Sequence, residues 1–236
     1  MKKLIITALF LTCSAHLMAQ SVVGAWESVT TKDGQQVKNV VIFSEFHQVS
    51  TWYDLKDGKF LETNGGTYHL DGNTMTETVE FNSASSERVG KSISFPIEVS
   101  ESTLKIDGKD IVWTRIDDGK PGALQGAWLM SGRKRDGEIQ TRDTSGPRKT
   151  MKILSGTRFQ WIAYNTETKE FNGTGGGTYT TLDGKYTEQI AFFSRDDSRV
   201  GAKLEFDYEL KGDDWHHSGL SSKGEPLYEI WTKRSK

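Results

Sequence analysis

The sequence Gly65-Gly66-Thr67-Tyr68 occurs a second time as Gly176-Gly177-Thr178-Tyr179. A further landmark returns in the same register, because Thr76-Glu77 recurs as Thr187-Glu188. Every one of these residues lies 111 positions after its first occurrence, as Tyr179 does after Tyr68. A constant offset over several landmarks indicates that one structural unit has been duplicated. We therefore expect two copies of one fold.

Short runs of apolar and β-branched residues follow one another through the first copy. Turn sequences such as Lys56-Asp57-Gly58 and Asp71-Gly72-Asn73 separate them. No window combines sustained helical periodicity with capping residues, which predicts little helix. Roughly eight short strands joined by tight hairpins favour an up-and-down barrel, because such a barrel closes its own edges. The predicted fold class is all-β, with two tandem small up-and-down antiparallel β-barrels.

The start of the chain predicts export. Residues 1–19 combine a basic beginning, a short apolar run and a small final residue, Ala19, a pattern typical of a secretory signal peptide. The alternative to cleavage after Ala19 is lipoprotein anchoring through Cys13, the only cysteine. The protein is therefore expected to be periplasmic or secreted, without a disulfide or a membrane span. We expect barrel 1 at 20–117, a linker at 118–123 and barrel 2 at 124–236.

Charge is divided unevenly between the two copies. Residues 21–117 carry 9 basic and 15 acidic side chains, whereas residues 118–236 carry 19 and 17. Neither balance resembles the strongly basic surface of a nucleic-acid-binding protein. We therefore expect no nucleic-acid partner.

Each copy opens and closes with a tryptophan motif. Gly24-Ala25-Trp26 and Trp113-Thr114-Arg115 bracket the first copy, and Gly126-Ala127-Trp128 and Trp231-Thr232-Lys233 bracket the second. This combination resembles lipocalin-like (calycin) barrels, and more narrowly the lipocalin-like domains of unknown function in exported proteins of Bacteroidetes. The resemblance implies that the basic side chain lies over the tryptophan and plugs one barrel end. Each copy is shorter than a full lipocalin, so two interpretations of its interior remain: a small cavity, or a core filled by side chains.

One acidic residue in each copy conflicts with its neighbours. Glu77 alternates in phase with Met75, Val79 and Phe81, and Glu188 does so with Tyr186, Ile190 and Phe192. The period of two therefore predicts that both carboxylates face the barrel interior. A buried carboxylate is costly unless it is paired or reaches water in a cavity. It either orients the polar end of a ligand or forms a buried ion pair with Arg88 or Arg199.

Three aromatic residues complete the candidate site. Tyr68 and Tyr179 lie on the strand next to the glutamate, where they suit a cavity wall, a hydrogen bond to the carboxylate or core packing. Trp161 does not align with Trp52, so both are interpreted as mouth or surface residues on which a flat ligand stacks. The predicted ligand-binding residues are Glu77, Glu188, Tyr68, Tyr179, Arg88, Arg199 and Trp161.

The second copy contains extra residues before its third strand. Gly126 follows Gly24 by only 102 positions, less than the offset of 111 that holds further along. The additional segment lies within 133–152 and is basic. Insertions within repeats often lie on a binding face.

The sequence contains no nucleophile, phosphate-loop or zinc-protease motif. His216 and His217 are adjacent, so on a strand they point in opposite directions and cannot share a metal. No metal or cofactor is predicted; a haem held by one loop histidine is a further alternative. The predicted function is an exported, non-enzymatic binding protein for a small apolar or amphipathic ligand. The alternatives are an envelope module with filled barrels and a protein partner, or a small hydrolase or isomerase using the carboxylate as acid or base.

Overall fold

The first repeat forms a closed antiparallel barrel. The computed structural model describes residues 21–120, 122–221 and 223–235, so the expected signal peptide at 1–19 lies outside the described residues. The strands are β1 (Gly24–Lys32), β2 (Gln35–Phe43), β3 (His47–Asp54), β4 (Phe60–Asp71), β5 (Thr74–Asn82), β6 (Ser92–Val99), β7 (Thr103–Ile106) and β8 (Val112–Asp117). Each strand pairs with the next, and β8 returns to β1. A single 3-10 turn, Ser86–Arg88, joins β5 to β6.

The second repeat forms the same barrel with one added strand. Its strands are β9 (Gly126–Arg135), β10 (Glu138–Thr141), β11 (Arg148–Leu154), β12 (Arg158–Asn165), β13 (Phe171–Leu182), β14 (Lys185–Phe193), β15 (Lys203–Lys211), β16 (Asp214–Leu220) and β17 (Pro226–Lys233). β17 pairs with β9 and closes the ring, whereas β10 pairs with β9 alone. A second 3-10 turn, Asp197–Arg199, follows β14.

These strands confirm the predicted fold class of two tandem up-and-down antiparallel barrels. The described part of the chain contains strands and two 3-10 turns but no α-helix. Within the same residues, no helix has the length and apolar character needed to cross a membrane.

A tryptophan closes one end of each barrel. Trp26 is fully buried, and its indole nitrogen donates a hydrogen bond to a backbone carbonyl oxygen at 2.8 Å. The guanidinium carbon of Arg115 lies 3.9 Å from the centre of its ring. Trp128 makes the equivalent hydrogen bond at 2.8 Å, and the ammonium of Lys233 lies 5.8 Å from its ring. The cation–π contact that the resemblance implied is confirmed in both barrels.

The repeated glycine pair sits at a β-bulge in each copy. A Cβ on Gly66 would collide with the carbonyl oxygen of Thr78, and one on Gly177 would collide with that of Gln189. Glycine is therefore required for the two backbones to approach this closely. The pairing register shifts at this point in both barrels, which adds one residue to β5 and to β14.

The extra residue reverses the direction of the side chains that follow it. Phe81 and Phe192 lie in the apolar core between the barrels and not in the barrel interiors. The prediction that they share the inner face with Glu77 and Glu188 is therefore wrong beyond the bulge. Strict alternation across a strand holds only where the strand pairs without interruption.

The outer faces of the two barrels share this apolar core. Three aromatic pairs contribute to it: Tyr53 with Phe192 (5.1 Å between ring centroids), Phe81 with Tyr164 (4.9 Å) and Phe60 with Phe171 (6.0 Å). The first two pairs are equivalent, because Tyr164 and Phe192 lie 111 positions after Tyr53 and Phe81. Phe171 likewise lies 111 positions after Phe60, so the third pair joins two equivalent residues. The interface therefore has the approximate two-fold symmetry of a dimer of identical subunits.

One polar cluster breaks this symmetry. The hydroxyl of Tyr164 donates to the Glu80 carboxylate at 2.6 Å, and Arg234 pairs with the same carboxylate at 2.7 Å. Burial favours a higher pKa for Glu80, but the hydrogen bonds from Arg234 and Tyr164 outweigh it and hold the pKa below its usual value. The equivalent position in the second repeat is Ala191, so the polar link exists on one side of the interface only.

Candidate functional site

The interior of the first barrel contains a cavity of about 350 Å³. Its apolar wall includes Val41, Phe43, Met75, Phe95, Ile97 and Leu104. Its polar lining includes Gln48, Ser50, Asn64, Asn82, Glu77 and Arg88. A concave, largely apolar site with a few polar groups is the usual form of a small-molecule pocket.

Glu77 belongs to the wall of this cavity. It lies in the middle of β5, paired with Tyr68 of β4 and Ile93 of β6. Burial raises the pKa of Glu77 to about 7, while the positive charge of Arg88 acts in the opposite direction. Among the described residues, none forms a hydrogen bond or an ion pair with the Glu77 carboxylate. The cavity therefore presents an unpaired carboxyl group that changes protonation near neutral pH.

Arg88 reaches the same cavity from the 3-10 turn between β5 and β6. The residue is exposed, so its charge remains largely hydrated. It influences the Glu77 carboxyl through its field and not through a direct ion pair. Glu77 and Arg88 are thus two polar groups of opposite charge available at one pocket.

Glu188 occupies the equivalent position in the second barrel but has a partner. The Lys152 ammonium donates to its carboxylate at 2.9 Å, and each side chain is only 6% exposed. The same ammonium lies within 5.1 Å of the ring centres of Tyr186, Trp215 and Trp231. The sequence alternatives paired Glu188 with Arg199, whereas the structure places Lys152 against Glu188 and Asp196 against Arg199.

Different residue types at equivalent inward positions explain why the first barrel has a cavity and the second is filled. Val41, Met75, Leu104 and Ile106 of the first barrel correspond, 111 positions later, to Lys152, Tyr186, Trp215 and His217. The first set consists of aliphatic side chains that line the cavity. The second set consists of larger aromatic or charged side chains packed in one buried cluster. Added side-chain volume therefore occupies in the second barrel the space that is open in the first.

The histidine pair divides between inside and outside, as adjacent strand residues should. His217 is buried against Phe206, with ring centroids 4.1 Å apart, and lies 3.4 Å from the Glu229 carboxylate. Burial and then the charge of Lys152 lower its pKa. His216 shares a hydrogen bond of 2.7 Å with the hydroxyl of Tyr228. Among the described residues, no cluster of histidine, cysteine, aspartate or glutamate is arranged to hold a metal ion.

The two predicted tyrosines have equivalent hydrogen bonds to the backbone. The hydroxyl of Tyr68 donates to the Ser44 carbonyl oxygen at 2.7 Å, and that of Tyr179 donates to the Ser155 carbonyl oxygen at 2.5 Å. Tyr68 packs edge-on against Phe43, with ring centroids 5.2 Å apart. The structure therefore does not bring either hydroxyl to the neighbouring glutamate.

Trp52 of β3 and Trp161 of β12 face the interiors of their barrels at positions that are not equivalent. Trp52 lines the cavity of the first barrel. Trp161 packs edge-on against Phe193 in the second, with ring centroids 5.5 Å apart. Their unequal register, which the sequence already shows, places Trp161 at the level of Ser50.

Sequence reasoning missed Lys152, the residue that most distinguishes the second barrel. It lies in an apolar run, Met151 to Leu154, where an inward lysine is as anomalous as an inward glutamate. An anomalous lysine and an anomalous glutamate in the same repeat predict each other as partners, because buried charges are paired. The basic residues before it obscure this signal, because Lys152 then resembles the end of the inserted segment 133–152.

The topology defines a lipocalin-like fold, an eight-stranded up-and-down antiparallel barrel, and in the first barrel it encloses a cavity. Residues 123–235, which contain all strands of the second barrel, match the family described as "Domain of unknown function (DUF4488)". Comparison with curated proteins yields no significant match.

Two solved structures from Bacteroides are similar to parts of this chain. One is a lipocalin-like protein from Bacteroides uniformis ATCC 8492, with 15% identity and a TM-score of 0.35, covering 48% of this chain and 100% of that one. The other is an uncharacterized protein from Bacteroides eggerthii DSM 20697, with 14% identity and a TM-score of 0.33, covering 47% of this chain and 98% of that one.

Proposed function

We propose that this protein is an exported binding protein that holds one small apolar or amphipathic molecule inside its first barrel. The observation that carries the proposal is the cavity of about 350 Å³ with the unpaired carboxyl of Glu77 in its wall. Glu77 is half-buried in the cavity wall, and a ligand that supplies a hydrogen-bond partner offsets the cost of this partial removal from water.

The lining defines the chemistry of the ligand. Its apolar body contacts the aliphatic wall, whose members include Met75, Ile97 and Leu104. Its polar end meets Glu77 and Arg88. With a pKa of about 7, the Glu77 carboxyl donates a hydrogen bond to a carbonyl or hydroxyl oxygen when protonated and accepts one when ionised.

Binding without catalysis is favoured over the hydrolase or isomerase alternative. General acid–base or covalent catalysis needs a second group positioned against the first. Among the described residues, no nucleophile or base is hydrogen-bonded to Glu77. The second barrel, with its carboxylate already paired to Lys152, supports the first barrel as a packing partner.

Native mass spectrometry of the protein purified from its own source tests the proposal. We expect one retained molecule of a few hundred daltons per chain, since one barrel has the cavity. The variant Leu104→Trp, which copies Trp215 of the second barrel, should lose the retained mass because the indole fills the cavity. Leu61→Trp is the matched control, because Leu61 is 44% exposed on the same barrel.

Two results would contradict the proposal. One is a bare polypeptide mass in the wild-type protein, combined with no thermal shift from fatty acids, sterols or aromatic metabolites. The other is retention of the same molecule by Leu104→Trp. Export is tested separately, because an N-terminus at Gln20 in the periplasm or medium supports it and an intact Met1 in the cytoplasm opposes it.

A further inference from the structure

A second, quite different pocket lies on the insertion that distinguishes the second barrel. It has a volume of about 530 Å³ and is lined by residues of β9, β10, β11 and the connection at 142–147. Arg133, Arg142 and Arg148 all contribute to the lining. The cavity in the first barrel is mainly apolar, whereas three arginines line this pocket, the half-buried Arg142 and the exposed Arg133 and Arg148.

The insertion creates the pocket by separating two strands. In the first barrel, β1 and β2 pair along their entire length. In the second, β9 pairs with β11 only from Gly126 to Leu129, after which its continuation pairs with β10 instead. The chain at 142–147 then returns to β11, so the space between the diverging strands is bounded on three sides.

Hydrogen bonds within the protein hold the central arginine in place. Arg142 donates to the hydroxyl of Thr150 at 3.1 Å and to the carbonyl oxygen of Arg148 at 3.0 Å. A guanidinium has five N–H groups, so these two bonds leave donors for a ligand. Burial, and then the charges of Arg148 and Arg133, lower the pKa of Arg142. The three cations therefore repel one another across the pocket.

No acidic side chain of the described residues pairs directly with these arginines. None of the three arginines forms an ion pair with an acidic residue of the described chain. Asp143 also lines the pocket, but its carboxylate accepts hydrogen bonds from the Ser145 amide at 2.8 Å and the Ser145 hydroxyl at 2.7 Å.

We propose that this pocket binds the phosphate or sulfate group of a small organic molecule, with Arg142 as the central contact and Arg133 and Arg148 on either side. Guanidinium groups bind such oxyanions through paired, charge-assisted hydrogen bonds. An oxyanion between the arginines replaces their mutual repulsion by attraction. Thr141, Thr150 and Gln140 supply neutral polar contacts for the rest of the ligand. The site is independent of the first-barrel cavity, and so is its test.

The experiment is an amide NMR titration of the full chain with inorganic phosphate, sulfate and, as a singly charged comparison, acetate. We expect saturable shifts at residues around the pocket with phosphate or sulfate, and weaker ones with acetate. Arg142→Gln should weaken binding about tenfold or more. The double variant Lys134→Gln with Arg135→Gln is the matched control, because both residues lie on the same hairpin but outside the pocket lining.

The phosphate and sulfate titrations also distinguish the two classes of ligand. Tighter binding of phosphate indicates a phosphate ester, and tighter binding of sulfate indicates a sulfate ester. Equal weakening by the control variant, or shifts spread over the whole basic surface, would show general charge screening and overturn the proposal. Unsaturable shifts with both ions would overturn it as well. Arg142→Lys distinguishes loss of binding from loss of folding. It keeps the positive charge, so it should bind the oxyanion with intermediate affinity and retain the wild-type melting temperature.

Discussion

The interiors of the two barrels differ at the same positions of one repeated fold. In the first, Glu77 faces a cavity without a partner, beside Val41. In the second, Lys152 stands at the position of Val41 and forms a buried ion pair with Glu188. The lysine at the position of Val41 therefore pairs with the carboxyl group that the first barrel leaves without a partner.

This comparison shows that an inward carboxylate alone does not define a site. What matters is whether the protein itself supplies the compensating charge and fills the surrounding volume. The second barrel does both, with Lys152 and with the aromatic cluster around Trp215. The first does neither, and the cavity results.

The largest expected effect comes from breaking the closed core. Lys152→Val should lower the free energy of unfolding by about 3–5 kcal/mol, because it leaves Glu188 buried without its cation. Urea denaturation measures the loss. The double variant Lys152→Met with Glu188→Leu should regain most of it, since no charge is then left buried. If Lys152→Val is as stable as wild type, the Lys152–Glu188 pair does not stabilise the core of the second barrel.

The next effect is the pH dependence that Glu77 imposes on the first barrel. Its pKa is raised to about 7 in the folded protein, so between pH of about 4.5 and 7 the folded state holds a proton that the unfolded state has lost. The stabilisation that protonated Glu77 provides is therefore complete below this range and is lost as the pH rises through it, by about 3 kcal/mol. Denaturation of wild type and Glu77→Gln at pH 5 and pH 8 measures the difference, which should be absent in the variant. An equal fall in both proteins would assign the dependence to other groups.

A smaller effect should follow from introducing the second barrel's lysine into the first. Val41→Lys should cost less stability when Glu77 is present than when glutamine replaces that glutamate, with a coupling free energy of about 1–2 kcal/mol. The double-mutant cycle of Val41→Lys and Glu77→Gln measures this term. Equal costs in both backgrounds would mean that the two positions do not face each other as Lys152 and Glu188 do.

The smallest expected effect concerns the two halves of the barrel–barrel interface. Tyr164→Phe should lower stability by about 1 kcal/mol, because it removes the hydrogen bond to the partly buried Glu80 carboxylate. Tyr53→Phe, at the equivalent position, is the matched control and should change stability less, because the second repeat has Ala191 and not a carboxylate there. Thermal unfolding measures the stability of both variants. Equal losses of stability would contradict the predicted difference between the two sides of the interface.

Much of the fold is predictable from the sequence because its signals are local. The strands follow from alternation and turn residues, the barrel ends from Trp26 and Trp128, and the duplication from the constant offset. The inward direction predicted for Phe81 is wrong, because the bulge at Gly65 and Gly66 depends on how closely two backbones approach.

The barrel interface and the closed second core depend on contacts between residues far apart in sequence. The run Val40 to Phe43 is buried on both faces, which indicates a strand covered on its outer side as well. Its partner surface on the second barrel could not be identified from alternation. Lys152 and Glu188 meet across strands β11 and β14, so their contact depends on the closed ring and not on their spacing.

The two-fold arrangement of Tyr53, Phe192, Tyr164 and Phe81 has a consequence for how such a protein can vary. In a dimer of identical chains, every substitution appears in both subunits, so a group introduced into one interior also enters the other. Linking the halves in one chain keeps the interface at any protein concentration, because its partner is always attached. Each interior then accepts its own substitutions. The second interior can therefore hold the Lys152–Glu188 pair and its aromatic cluster while the first keeps its cavity.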